Sequence, residues 1–159
     1  MGKVPEIHSS PKAPEDRAWN WHGTAEADKS DALIEHGGWQ ALANAHSWYD
    51  PEADPEHDPP QKKQAYKLPH HELIDGRLSV VWNGVKAATQ VLAGARGGVD
   101  IPERDRRKVY EHLAHHYGEF DKEPRPSRGD RPGWAHPPES CASERGAVGR
   151  VRAREGGCR

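Results

Sequence analysis

The fold is decided by the stretch from residue 65 to residue 120, which reads AYKLPHHELIDGRLSVVWNGVKAATQVLAGARGGVDIPERDRRKVYEHLAHHYGEF. It is the only long run in which apolar residues recur with a period and turn residues fall between the periodic segments. The pattern predicts a strand, a tight turn, a strand, a helix, a glycine-rich bend and a second helix. The rest of the chain is expected to pack around these elements.

The first two strands are predicted over residues 66–74 and 77–82, on either side of Asp75-Gly76. This dipeptide tolerates the positive φ values of a two-residue hairpin turn, so the two strands should pair. Pro69 lies inside the first strand and lacks a backbone N–H donor, which predicts an edge position or a bulge there.

Two helices follow the hairpin. Asn83 is a candidate N-cap for a helix over residues 84–93, and Gly94 suits the left-handed position that ends it. Asp100 with Glu103 predicts the start of a second helix that runs to about Tyr117. Arg104, Arg106, Arg107 and Lys108 are expected on or near its solvated side.

The residues before this stretch are less regular. Residues 1–17 carry charges and prolines with nothing to bury, which predicts a disordered leader. Two short helices are expected over residues 25–36 and 39–46, separated by Gly37-Gly38, and residues 50–64 form an acidic, proline-rich loop. Tryptophans should supply much of the core, with one or two of them partly exposed; they are Trp19, Trp21, Trp39, Trp48 and Trp82.

The predicted fold class is therefore α+β: a small β-hairpin packed against about four short helices, in one domain over residues 18–124. Residues 125–159 are rich in Arg, Pro and Gly and are expected to be a disordered tail that includes both cysteines, Cys141 and Cys158. A mean hydropathy of −1.05 agrees with incomplete folding of the chain. No run is apolar enough for a membrane span or a signal peptide, which predicts a cytoplasmic protein.

Charge is distributed unevenly along the chain. Residues 1–120 contain 14 Lys and Arg against 19 Asp and Glu, whereas residues 121–159 contain 9 against 6. An acidic body does not attract a phosphate backbone, so any contact with nucleic acid is expected to be weak, salt-sensitive and made by the tail.

Histidines are the most numerous candidate ligands, with 11 in the chain. His112 and His116 have the i, i+4 spacing by which one face of a helix offers two imidazoles to a metal, and His70 or His71 from the hairpin could complete a zinc site. The alternative is that these histidines lie on the surface or near the helix C-terminus, where the macrodipole favours them when protonated. Under that alternative no cofactor is needed.

The glycine-rich bend GARGGVDIPE precedes a helix, as phosphate-binding loops do, but it lacks the dinucleotide and Walker spacings. A structural turn is the simpler interpretation, with Arg96, Gly97 and Gly98 together with His70 and His71 as candidate contacts to a protein partner. No elbow motif surrounds Ser47 or Ser79, so a serine nucleophile is not expected and no catalytic residue is assigned.

The segments LPHH, GARGGVDIP and YEHLAHHYGEFDKEP resemble a module of tailed bacteriophages that occurs alone or joined to prohead (head maturation) protease sequences. The similarity extends over residues 19–124. It implies a phage or prophage origin and a non-enzymatic accessory role in capsid assembly or head maturation, with a capsid protein or the protease as partner. The implied location is the bacterial cytoplasm or the virion.

Two alternatives remain open from the residues themselves. One is a metal-dependent hydrolase or nuclease that uses His70, His71, His112 and His116, which requires these side chains to converge. The other is a nucleic-acid accessory protein that acts through its basic tail.

Overall fold

The computed structural model describes residues 2–124. Within them the chain forms three α-helices and four strands, so the α+β class is confirmed. In chain order they are α1 (Gly23–Asn44), β1 (His46–Tyr49), β2 (Tyr66–Pro69), β3 (His71–Ile74), β4 (Arg77–Val80), α2 (Trp82–Leu92) and α3 (Glu103–Glu119). The predicted tail lies outside the described residues.

The hairpin is present as β3 and β4. Ile74 pairs with Arg77, and Asp75 and Gly76 both have positive φ, at 50° and 73°, as the two-residue turn requires. The predicted first strand, however, is divided at His70. Its first half, β2, pairs antiparallel with β1, a strand that the sequence pattern did not reveal. The chain therefore builds two small sheets instead of one hairpin.

Helix α1 consists of two helical segments, as predicted, and they meet at Gly37-Gly38. Gly37 and Gly38 have non-helical φ and ψ values, so a kink stands where the break was expected. Helix α2 begins at Trp82, earlier than expected, and Asn83 does not cap it. The Asn83 amide instead donates a 2.8 Å hydrogen bond to the carbonyl of Arg17. Helix α3 begins after Pro102 with no side-chain cap, so the predicted capping box is not formed.

Residues 2–17 differ from the expectation of a disordered leader because they pair with open sheet edges. Lys3 exchanges two backbone hydrogen bonds with Tyr49 of β1, and Ala13 donates to the carbonyl of Val80 of β4. An unpaired strand edge offers free N–H and C=O groups, and the leader satisfies them. Sequence patterning misses such a segment because its contribution is made through the backbone.

The core consists of two apolar groups. One joins α2 and α3 to β1, β2 and β4, and it contains Trp48, Trp82, Val85, Val109 and Leu113. The other lies under α1 and β1 and contains Trp21, Leu33, Leu42 and Tyr66. The five tryptophans supply core as predicted: Trp21, Trp48 and Trp82 are buried, and Trp19 and Trp39 are partly buried.

Candidate metal centre and binding cleft

The four histidines predicted as metal ligands lie together. His70 lies between β2 and β3, and His71 is the first residue of β3; the backbone N–H groups of both donate to the carbonyl of Ala45. His112 and His116 come from one face of α3. The ring centroids of His70 and His112 are 5.1 Å apart, those of His70 and His116 are 4.7 Å apart, and those of His71 and His116 are 5.1 Å apart.

The cluster is closed to solvent. His70 and His71 are 0% exposed, His116 is 1% exposed and His112 is 3% exposed. His70 and His71 therefore do not lie at an accessible edge, which corrects the expectation that they contact a protein partner. The reason is that the strand is divided at His70, and the residues there are packed inward against α3, an effect of tertiary packing that the sequence pattern does not encode.

Polar groups fix two of the imidazoles from outside the cluster. Nδ1 of His116 donates to Oε2 of Glu119 at 2.6 Å. Nδ1 of His70 lies 3.2 Å from the carbonyl of Leu68 and 3.1 Å from the hydroxyl of Ser47. Because the Ser47 hydroxyl itself donates to the Leu68 carbonyl, His70 Nδ1 is the protonated nitrogen and Nε2 carries the lone pair.

The leader provides a further contact to the cluster. Oγ of Ser10 lies 3.0 Å from Nε2 of His71, and the ring of His8 is tilted against that of His71 at 5.0 Å. Sequence reasoning missed both residues because it treated the leader as unstructured. It also missed Glu119, although its i, i+3 spacing from His116 on a predicted helix was a readable signal.

Three buried nitrogens of the cluster lack a hydrogen-bond partner within the described residues. They are Nδ1 of His71, Nδ1 of His112 and Nε2 of His116. A buried polar atom left without a partner costs about 1–3 kcal/mol, so three in one place are an unusual concentration.

Burial also sets the protonation state of the cluster. Desolvation lowers the pKa of His112 to about 3, and it holds the pKa values of His70 and His71 well below their usual range. The pKa of His116 is lowered by the same cause, against the opposing effect of Glu119. All four imidazoles are therefore neutral near pH 7, and the neutral ring is the form that coordinates a metal.

Ser47 contacts His70 but is not arranged as a nucleophile. It is 0% exposed, and its hydroxyl proton is directed to the Leu68 carbonyl. It therefore orients His70 and is not placed to attack a substrate. The absence of an elbow motif in the sequence agrees with this arrangement.

A separate cleft of about 430 Å³ opens beside α2. Its walls include Trp19, Trp21, Pro69, Val91, Arg96 and Val99. The two indoles are stacked, with centroids 5.3 Å apart and an interplanar angle of 12°, and they present a flat aromatic wall. Arg96, one of the predicted partner contacts, is exposed at the cleft and makes no ion pair with another described residue.

The glycine-rich bend is held open by backbone conformation and by one arginine. Gly97 and Gly98 have positive φ values of 86° and 78°, so they shape the bend beside Arg96. Arg106 donates to the carbonyls of Leu92, Val99 and Ile101. Arg106 lies near the solvated side of α3 with its side chain 33% exposed, and its guanidinium spans the bend.

Among residues 2–124 no helix has the length and apolar character needed to cross a membrane. Comparison of the chain with protein-family models, with curated protein sequences and with solved structures gives no match. The observations define a small α+β protein with a buried histidine cluster and a separate aromatic cleft. The phage-type role accordingly stays a prediction.

Proposed function

We propose that this chain is a non-enzymatic interaction module of phage type, which binds a capsid protein or the head maturation protease in the cytoplasm of a bacterial host. The cleft at Trp19, Trp21 and Arg96 is the surface proposed to bind that partner. The resemblance of the segments LPHH and GARGGVDIP to a phage module supports the choice of partner. The observation that carries the non-enzymatic role is the burial of the histidine cluster.

Burial bears on catalysis because a hydrolytic metal centre needs an open coordination position and room for a substrate. His70, His71 and His116 are each 1% exposed or less, and the leader covers His71. The convergence of the four histidines meets the main requirement of the hydrolase alternative, but their enclosure argues against substrate access. Ser10 contacts His71, yet Nδ1 of that ring has no carboxylate partner among residues 2–124, so a Ser-His-acid arrangement is not formed.

The chemistry of the cleft supports a peptide segment as its occupant. Stacked indoles favour an apolar or proline side chain, and a free guanidinium favours a carboxylate. The proposed occupant is therefore an extended segment of the partner that carries an acidic residue beside an apolar or proline residue.

The test is co-purification of the full chain with a phage capsid protein and with a head maturation protease. We expect Arg96→Glu to reduce capture at least tenfold, because it places two like charges together. Arg77→Glu is the matched control, since Arg77 is an exposed arginine on the hairpin and does not line the cleft. Capture of neither partner, or equal capture by both variants, would refute the proposal.

A further inference from the structure

The geometry of the buried histidine cluster points to a structural site for one zinc ion, and we propose that His70, His71 and His116 bind it together with His112. One nitrogen from each of the first three lies within 4.8 Å of the other two. The site goes beyond the interaction role proposed above and does not rest on it.

One distance within the cluster matches an edge of a tetrahedral site. Zinc–nitrogen bonds of about 2.0–2.1 Å in a tetrahedron place neighbouring ligand nitrogens about 3.3 Å apart. Nε2 of His112 lies 3.2 Å from Nε2 of His70, which is one such edge. The ligand nitrogens of His70, His71 and His116 lie within 4.8 Å of one another, and rotation of the imidazoles about their side-chain bonds is expected to bring them to coordination distance around an ion.

Lone pairs are directed into the cluster by groups outside it. Glu119 accepts the Nδ1 proton of His116, which directs the lone pair on the unpartnered Nε2 inward. The Leu68 carbonyl has the same effect on His70. Ser10 contacts Nε2 of His71 and leaves Nδ1 of that ring unpartnered within the described residues. Such outer contacts fix the tautomer of a metal-bound histidine and raise its basicity.

The donor set identifies the class of metal. Four imidazole nitrogens suit zinc and its neighbours in the first transition row, and they do not suit calcium or magnesium, which prefer oxygen. A site formed only by protein ligands and closed to solvent is typical of structural zinc. Zinc would cross-link the β2–β3 break to α3, which are far apart in sequence, and Ser10 would couple the leader to the same site.

The test is metal titration of the full chain after chelator treatment and removal of the chelator. We expect one Co²⁺ per chain with the intense visible absorption of tetrahedral cobalt, displacement of Co²⁺ by Zn²⁺, and a melting temperature that rises with zinc. His116→Gln should abolish binding. His36→Gln should leave it unchanged, because His36 is an exposed histidine on α1 outside the cluster.

Glu119→Gln is a second variant that tests the same site if His116→Gln does not fold. This variant retains the ligands but weakens the acceptor on His116, and we expect zinc affinity to fall about 10–100-fold. Absence of stoichiometric binding by the wild-type chain, or an equal loss in His36→Gln, would overturn the proposal. A chain that binds zinc but captures no partner would support this site and refute the interaction role, so the two failures are distinguishable.

Discussion

Gly84 lies so close to the ring of Trp19 that a larger side chain does not fit at this position. A Cβ atom at this position of α2 would lie 2.9 Å from Cε3 of Trp19, whose ring is stacked on Trp21 and has little freedom to move. Alanine gains about 1 kcal/mol of helix propensity, but the contact costs about 1–3 kcal/mol. We expect Gly84→Ala to lower the free energy of unfolding by about 1 kcal/mol, measured by urea denaturation.

Gly118 provides the matched control. It lies in α3 and is exposed, and a Cβ atom at this position would meet nothing within 4 Å. Gly118→Ala should therefore raise the free energy of unfolding by about 0.5–1 kcal/mol. Equal effects of the two substitutions in the same direction would show that Trp19 does not occupy the space above Gly84.

His46 makes folding sensitive to acid. Burial lowers its pKa from 6.5 to about 4, although Nδ1 donates a 2.7 Å hydrogen bond to the Leu42 carbonyl. As the pH falls below 6.5, the unfolded chain takes up a proton that the folded chain does not. Folding stability is therefore lost toward pH 4, at up to about 1.4 kcal/mol for each pH unit from this residue.

The measurement is the free energy of unfolding as a function of pH, with chelator present so that metal release does not contribute. We expect His46→Gln to reduce the slope of the free energy of unfolding against pH by up to about 1.4 kcal/mol for each pH unit, the contribution of one proton. An identical slope in His46→Gln and the wild-type chain would contradict the assignment. The histidine cluster and the paired carboxylates of Asp54, Asp58 and Glu72, whose pKa values are lowered by their hydrogen-bond partners, are expected to contribute to the remaining slope.

The bend between α2 and α3 depends on Arg106. Its guanidinium donates to three backbone carbonyls, those of Leu92, Val99 and Ile101, and so ties the end of one helix to the start of the next. Lysine cannot reproduce this planar fork. We expect Arg106→Lys to cost about 1–2 kcal/mol of stability and to speed amide hydrogen exchange over residues 94–101.

Arg107→Lys is the control for that substitution. Arg107 is exposed and makes one i, i+4 ion pair with Glu111, which a lysine can replace at little cost. If exchange over the bend is the same in both variants, the bend is held by its own backbone and not by Arg106. Because Arg96 lies in this bend, Arg106→Lys should also weaken partner capture through the cleft.

Over the whole molecule, net charge differs between the acidic residues 1–120, the body, and the basic residues 121–159, the tail. Residues 1–120 have five more acidic than basic residues, and residues 121–159 have three more basic than acidic residues. We expect the full chain to bind DNA weakly and a chain of residues 1–124 to bind it less than about one-tenth as well at low salt. Fluorescence anisotropy with a labelled DNA duplex, measured over a series of salt concentrations, gives the affinity of each of the two chains.

The salt series distinguishes the tail from the folded body. Binding through the tail should weaken steeply as salt is added, since it depends on release of counterions. Salt-independent binding, or equal binding by the two chains, would contradict the assignment to the tail and would favour a specific nucleic-acid site on the body.

The sequence by itself determined those features that depend on residues close together in the chain. The Asp75-Gly76 turn follows from local backbone preference, and the kink at Gly37-Gly38 follows from the conformational freedom of glycine. The alignment of His112 with His116 follows from the helical repeat. The α+β class is the sum of such local signals.

Only the tertiary structure determined which strands pair with each other and which side chains are buried. Strand β1 is too short and too irregular in pattern to be recognised before β2 lies beside it, and the leader gains its order from the edges of β1 and β4. Whether His70 and His71 face solvent or α3 depends on the division of the strand at His70. Long-range packing determines burial, and burial converts four histidines into one neutral cluster.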